Sequence, residues 1–237
     1  VHTPRLVDVC LVLEGTYPYM SGGVSTWVHQ IVTAMPDLRF AIFYIGAEQG
    51  EGLRPKYDLP KNIVSIDTVF LFDGLEQQEL VPRKPPKAVK RALYKAMAEV
   101  LAAPSGAAMP HQAIKLAELI SRTEPSFSCA NLWEDREAWE LVCAAYGRHM
   151  PGESFLKFYW NARFLVQPLW QLIRSSDRIP QARLYHSLCT GYAGFAAALA
   201  ARRNNAPYLL SEHGIYVKER LAEMQNAPWI PCSLSRY

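Results

Sequence analysis

The sequence is most easily approached through what it does not contain. None of its five cysteines, Cys10, Cys129, Cys143, Cys189 and Cys232, stands in a C-x-x-C pair. A zinc knuckle or a dithiol redox centre of the usual spacing is therefore excluded, and scattered thiols of odd number read as free cysteines in a reducing compartment, hence a cytoplasmic chain. Neither G-x-G-x-x-G nor G-x-x-x-x-G-K-[ST] occurs, which removes the common dinucleotide and P-loop fingerprints. No dense basic stripe accompanies the net charge of +3, so nucleic acid is not an expected partner. The most apolar long segment, Phe155 to Ile173, carries Lys157, Asn161, Arg163, Gln167 and Pro168. Those polar groups are costly in a bilayer, and the segment reads as a buried helix kinked near Pro168. No signal-peptide pattern, internal repeat or low-complexity tract is seen.

What is present is half hydrophobic over 237 residues, enough for a sizeable core. Leu6 to Leu13 is a nearly unbroken apolar run, suited to a strand buried on both faces of a parallel sheet. Val24, Trp27, Val28, Ile31 and Met35 recur on one helical face. Arg39 to Gly46 reads as a second buried strand, which closes a right-handed βαβ unit. Asn62 to Phe72 reads as a third strand, broken near Asp67. From about residue 83 to 178 the alternation stops, and Lys87 to Leu101, His111 to Ile120, Trp133 to Tyr146 and Ser154 to Ile173 read as helices. Alternation then resumes with strand Ala182 to Ser187, helix Thr190 to Asn205, strand Ala206 to Gly214 and a helix start at Ile215 to Met224. The expected fold is α/β: a Rossmann-like parallel sheet flanked by helices, one domain over 1–237 with a helical insertion at about 83–178.

In open α/β sheets, ligands bind beyond the carboxyl ends of the strands. Three turns meet that condition: Glu14 to Gly23, YHSLCTG and SEHG. In the first, EGTYPYMSGGVSTWVHQI, Gly22 and Gly23 lack Cβ atoms, so a phosphate or sugar can approach the backbone where a helix presents free N–H groups. A tight turn is the alternative, and Ser21 is a candidate helix cap. Tyr17 and Tyr19 either stack on a sugar or anchor the loop. His213 is favoured for hydrogen bonding a sugar hydroxyl, with a satisfied buried carbonyl as the other reading. Glu212 is the weaker candidate, because successive strand residues face opposite ways. His186 and Ser187 carry the same ambiguity. The basic cluster Arg83 to Arg91 reads as a solvated loop and helix start, or else a phosphate or membrane-surface patch.

Taken together, a buried strand, GGV opening a helix, and a late strand–helix–strand ending in HG resemble the N-terminal domain of retaining glycosyltransferases of the glycogen synthase and sucrose synthase type. EGTYPYMSGGVSTWVHQI and LLSEHGIYVKER resemble in particular the PelF-type enzymes of Pel exopolysaccharide synthesis. The resemblance covers residues 1 to about 225. It implies the N-terminal half of a GT-B fold, a donor such as UDP-glucose or a UDP-N-acetylhexosamine as substrate, a polysaccharide acceptor, and transfer with retention. It places Gly22, Gly23 and His213 at the transferred sugar or diphosphate, implies no metal or other cofactor, and leaves the catalytic residues unassigned. The family's E-x7-E pair is missing, since no Glu is followed by Glu eight positions on. That pair belongs to a C-terminal nucleotide-sugar-binding domain, so the chain reads as the front half only, with that domain as its partner and little turnover of its own. A non-catalytic module docking onto an inner-membrane synthase complex is the alternative function.

Overall fold

The computed structural model describes residues 6–50, 53–73, 85–102, 109–123, 127–152, 154–214 and 218. The chain divides into two compact units, Val1–Asp73 with Ser175–Arg220, and Gly74–Arg174 with Leu221–Tyr237.

The first unit is built on a sheet of five parallel strands in the order β3-β2-β1-β4-β5. These are β1 Val7–Glu14, β2 Phe40–Gly46, β3 Ile63–Phe70, β4 Ala182–Ser187 and β5 Tyr208–Leu210. The α/β reading therefore holds. Helix α1 (Gly23–Ala34) links β1 to β2. Its Val28 and Val32 pack on Val9, Leu11 and Leu13 of β1 and on Phe40, Ile42 and Tyr44 of β2, the alternate side chains of each strand. Every residue of β2 is buried, as its continuous apolar run requires of a strand covered on both faces. Residues beyond Asp67 continue β3 in register with β2, so the break expected there is absent; the irregularity lies at its start, opposite Phe40 and Ala41.

After β4 comes α7 (Tyr192–Arg203), whose buried positions are Ala193, Gly194, Ala196, Ala197, Leu199, Ala200 and Ala201. The small side chains let it lie close. A Cβ on Gly194 would stand 2.7 Å from the Cys189 carbonyl oxygen, so packing alone demands glycine there. The last strand is shorter than expected. It stops at Leu210, and all three of its residues are exposed, as befits the edge of this sheet. The helix start expected at Ile215 lies outside the described residues, apart from Lys218.

The second unit contains α2 (Lys87–Ala102), α3 (Met109–Thr123), α4 (Cys129–Glu134), α5 (Arg136–His149) and most of α6 (Phe155–Ser175). One helix was expected over Trp133 to Tyr146; two are found, because Asp135 ends α4 and caps α5, its carboxylate accepting from the Glu137 N–H. Ser128 and Asn131 form a reciprocal capping box at the start of α4. Asp135 also pairs with Lys90. That contact occupies part of the basic cluster; residues 83 and 84 of the cluster lie outside the described residues. Tyr94, Phe127 and Trp170 form an aromatic core. Pro168 sits inside α6. Trp160 of the same helix is 56 % exposed and Leu156 65 %. Among the described residues no helix is long and apolar enough to cross a membrane.

Candidate functional site

Because all five strands run parallel, their carboxyl ends form one edge. The connections from β1 lead outward through β2 to β3 on one side, whereas β4 and β5 continue on the other. The place where the order reverses, between β1 and β4, is where a parallel sheet opens a crevice. A cavity of about 220 Å³ lies there, lined by Glu14, Thr16, Val24, Leu188, Cys189, Glu212, His213 and Gly214. Three of the elements meeting at it are those singled out from sequence: the turns after β1, β4 and β5.

The two carboxylates in the lining are already engaged. Glu14, the last residue of β1, accepts from the Ala193 N–H at 3.3 Å and from the Cys189 thiol at 3.6 Å. Glu212 accepts from the Thr190 N–H at 3.2 Å and from the Thr190 hydroxyl. Glu14 therefore satisfies an N–H of the first turn of α7 that the helix cannot pair internally, while Glu212 fastens the turn that leads into it, at Thr190. An anion at that helix end meets the Glu14 carboxylate already on the Ala193 N–H.

Helix α1 is different. Its N-cap is Gly22, in extended backbone, and no side chain caps it, so Ser21 is not the cap its position suggested. Gly22 and Gly23 are both exposed. A Cβ built on either meets nothing within 4 Å, and neither has the left-handed φ that favours glycine. The contrast with Gly194 is informative: neither packing nor backbone geometry among the described residues requires these two glycines. The tight-turn reading thus loses its physical basis. What the pair provides is bare, outward-facing backbone at a helix N-terminus whose first N–H groups are uncapped, beside Val24 of the cavity wall.

The other expected residues are placed as follows. His213 and Glu212 line the same cavity, against the expectation that they face opposite ways. The reason is that β5 ends at Leu210, so strand alternation no longer governs residues 211–214. His186 is buried and is not part of the lining. Its Nε2 and the Ser211 Oγ hydrogen-bond at 2.9 Å. Burial, then the nearby His213, pushes its pKa down. Ser187 is likewise buried, its hydroxyl bonded to that of Tyr208. Tyr17 must be withdrawn as a sugar-stacking residue. It is fully buried, its ring packed against Tyr57 and its hydroxyl bonded to His29 Nδ1 at 3.2 Å. Burial and Tyr57 push its pKa up to about 12. Tyr19 packs edge-on against Tyr44. Both tyrosines are loop anchors, and the Pro18 between them follows a cis peptide bond.

Sequence reasoning passed over two residues that organise the site. Glu14 was only the first residue of the Glu14 to Gly23 turn, with no role of its own, and its partner Ala193 lies 179 residues on. Trp27 was one position of a helical stripe. Its indole meets the His213 imidazole edge-on, with centroids 4.7 Å apart, and approaches His186 at 6.2 Å. It thereby joins the first turns of α1 to the turn after β5. Burial and the neighbouring Glu14 push the Cys189 thiol up to about 11, which disfavours the thiolate form that a nucleophile needs. Among the described residues no group of three or more His, Cys, Asp or Glu is placed to hold a metal ion.

Residues 7–236 match a family model described as "Domain of unknown function (DUF3492)", and the chain belongs to that family. The family is an N-terminal domain of GT-B glycosyltransferase-like proteins. No curated protein matches, and no solved structure does.

Proposed function

We propose that this member of the DUF3492 family is the acceptor-side lobe of a retaining glycosyltransferase that moves a sugar from a UDP-sugar to a growing exopolysaccharide of the Pel type. The observation that carries the reading is the bare Gly22–Gly23 backbone at the uncapped start of α1, next to a cavity at the sheet's switch point. In this reading the donor's diphosphate lies against the N–H groups of α1, where the helix dipole favours negative charge. The sugar reaches the cavity, where His213 hydrogen-bonds it. Catalysis is then positioning together with stabilisation of charge on the leaving diphosphate. UDP departs from the anomeric carbon with the bonding pair through an oxocarbenium-like transition state, and an acceptor hydroxyl oxygen bonds that carbon in its place, its proton passing to the departing diphosphate. No side chain of this chain is assigned as nucleophile.

The test is a ligand-observed NMR titration of the chain with UDP-glucose, a UDP-N-acetylhexosamine, UDP and UMP, paired with amide shifts at Gly22, Gly23 and His213. The reading expects UDP-sugars to bind better than UMP and to move all three amides. Equal binding by mononucleotides indicates instead an unrelated nucleotide-binding domain.

A second reading, a docking module for a membrane polysaccharide synthase complex, is favoured by the exposed apolar residues of α6, Leu156, Trp160 and Leu165. It expects Leu156→Glu with Trp160→Glu to abolish assembly, and a bulky residue at Gly23 to leave assembly intact.

A further inference from the structure

We propose that Trp27 is a positioning residue: its indole sets the His213 imidazole in place, so that the sugar of a UDP-sugar finds its hydrogen-bond partner already oriented. The inference rests on the glycosyltransferase reading and adds to it the residue on which the sugar contact depends.

The residues after β5 are each fastened differently. The strand ends at Leu210. Ser211 donates its N–H to the Ser187 carbonyl at 3.0 Å, and its hydroxyl bonds His186 Nε2 at 2.9 Å. Glu212 accepts from Thr190. At His213 the contact is between rings. The Trp27 indole meets the imidazole with centroids 4.7 Å apart and planes at 71°, an edge-on geometry that sets the positive edge of one ring on the negative face of the other. His213 is exposed and Trp27 is half-buried, packed against the apolar cluster under α1. The indole is therefore the anchored member of the pair. An exposed side chain that binding confines to one rotamer loses conformational freedom, and a ring already held by a neighbour has less to lose.

The place of Trp27 in the helix gives the contact its meaning. It follows Gly23 by four residues, one turn into α1 and on the same face. Long helical side chains lean toward the N-terminus, here toward the Gly22–Gly23 start. The same indole stands 6.2 Å from the ring of His186, the partner of Ser211. One side chain of α1 thus meets both the imidazole offered to the sugar and the residue that holds the turn behind it. If α1 takes the diphosphate, Trp27 fixes where the sugar contact stands relative to the diphosphate contact, the kind of alignment on which transfer by positioning depends. An indole that merely supported α1 would affect both contacts alike.

The experiment measures the affinities of UDP-glucose and of UDP by calorimetric titration of the chain and of Trp27→Leu, Trp27→Phe, His213→Ala and the double variant Trp27→Leu with His213→Ala. Leucine keeps apolar bulk on α1 without the ring; phenylalanine keeps a ring. Trp27→Leu is expected to weaken UDP-glucose by about two- to tenfold, the scale of one aromatic pair, and to leave UDP unchanged. His213→Ala is expected to give the same selective loss, the double variant to lose no more than either single change, and Trp27→Phe to recover most of the affinity. Equal losses of UDP and UDP-glucose in Trp27→Leu, losses that add in the double variant, or no loss in Trp27→Leu where His213→Ala has one, overturn the proposal and leave the glycosyltransferase reading standing. Where circular dichroism shows Trp27→Leu unfolded, the wild type decides: nuclear Overhauser effects between the Trp27 indole and His213 imidazole protons are expected in the UDP-glucose complex, and their absence overturns the proposal. UDP-glucose affinity untouched by His213→Ala removes both the proposal and the role of His213 in the reading, and failure of UDP-glucose to bind overturns the proposal together with the donor reading.

Discussion

The Glu14 carboxylate accepts a hydrogen bond from the Ala193 N–H at 3.3 Å, so that the end of β1 closes the start of α7 across 179 residues of sequence. One side chain thereby ties the end of β1 to the start of α7 and to the turn after β4. Replacing Glu14 with Ala removes this cap and leaves N–H groups of α7 without a partner. The expected loss is about 1–2 kcal/mol of folding stability, and Glu14→Gln should lose less than half of that. Urea unfolding followed by circular dichroism checks both; identical midpoints for wild type and Glu14→Ala would show that the cap contributes nothing.

Tyr17 offers a contrasting case, since its tyrosine-rich loop looks like a sugar platform in sequence and is a core anchor in the fold. Its ring lies among Val28, Val32, Leu13 and other buried residues of the cluster under α1. Tyr17→Phe removes only the hydroxyl bonded to His29. The expected cost is about 1 kcal/mol, with sugar affinity unchanged because the ring never meets the cavity. A large fall in affinity at unaltered stability would return Tyr17 to the ligand site.

His186 makes stability pH-dependent in a definite direction. Its pKa is lowered in the fold, by burial first and by His213 second, from an ordinary value of 6.5. The unfolded chain therefore takes up a proton at that position before the folded chain does. Stability is fully present above about pH 6.5 and declines as pH falls toward the lower folded value. His186→Asn removes the titrating group. The wild type should lose stability on going from about pH 7.5 to about pH 5.5 by more than the variant does, as read from urea midpoints. Equal losses would mean that His186 does not carry the effect.

Much of the sheet was legible because the signals were local. A continuous apolar run has few ways to be satisfied except as a strand covered on both faces, and β1 and β2 are found where such runs stand. The face expected of α1 was met only in part: Val28 is buried and Val24, Trp27 and Ile31 are half-buried, but Met35 is exposed beyond the helix end, and the other buried positions, Ser25 and Val32, were not among those expected. The misjudged elements depended on where a regular element stops. Asp135 reads as one more helical residue until its carboxylate is seen capping a new helix. Leu210 gives no local sign that alternation ends there, which is why Glu212 and His213 were set on opposite sides. The partners of Glu14, Trp27 and His186 lie far along the chain, at Ala193, His213 and Ser211. Patterns of spacing carry no information about such pairs until the sheet order is known.

The account depends most on Gly22 and Gly23 being glycine for the sake of something outside the chain's own packing. Gly23→Leu separates the two possibilities directly, since Leu at a solvent-facing first helical position with nothing within 4 Å of its Cβ has a better helix propensity than Gly. Unfolding stability and UDP-glucose affinity are measured on the same preparation. The account predicts stability equal to wild type or higher by up to about 1 kcal/mol, with affinity reduced at least about tenfold, a change equivalent to about 1.4 kcal/mol. Unchanged affinity in a stably folded Gly23→Leu protein would contradict it.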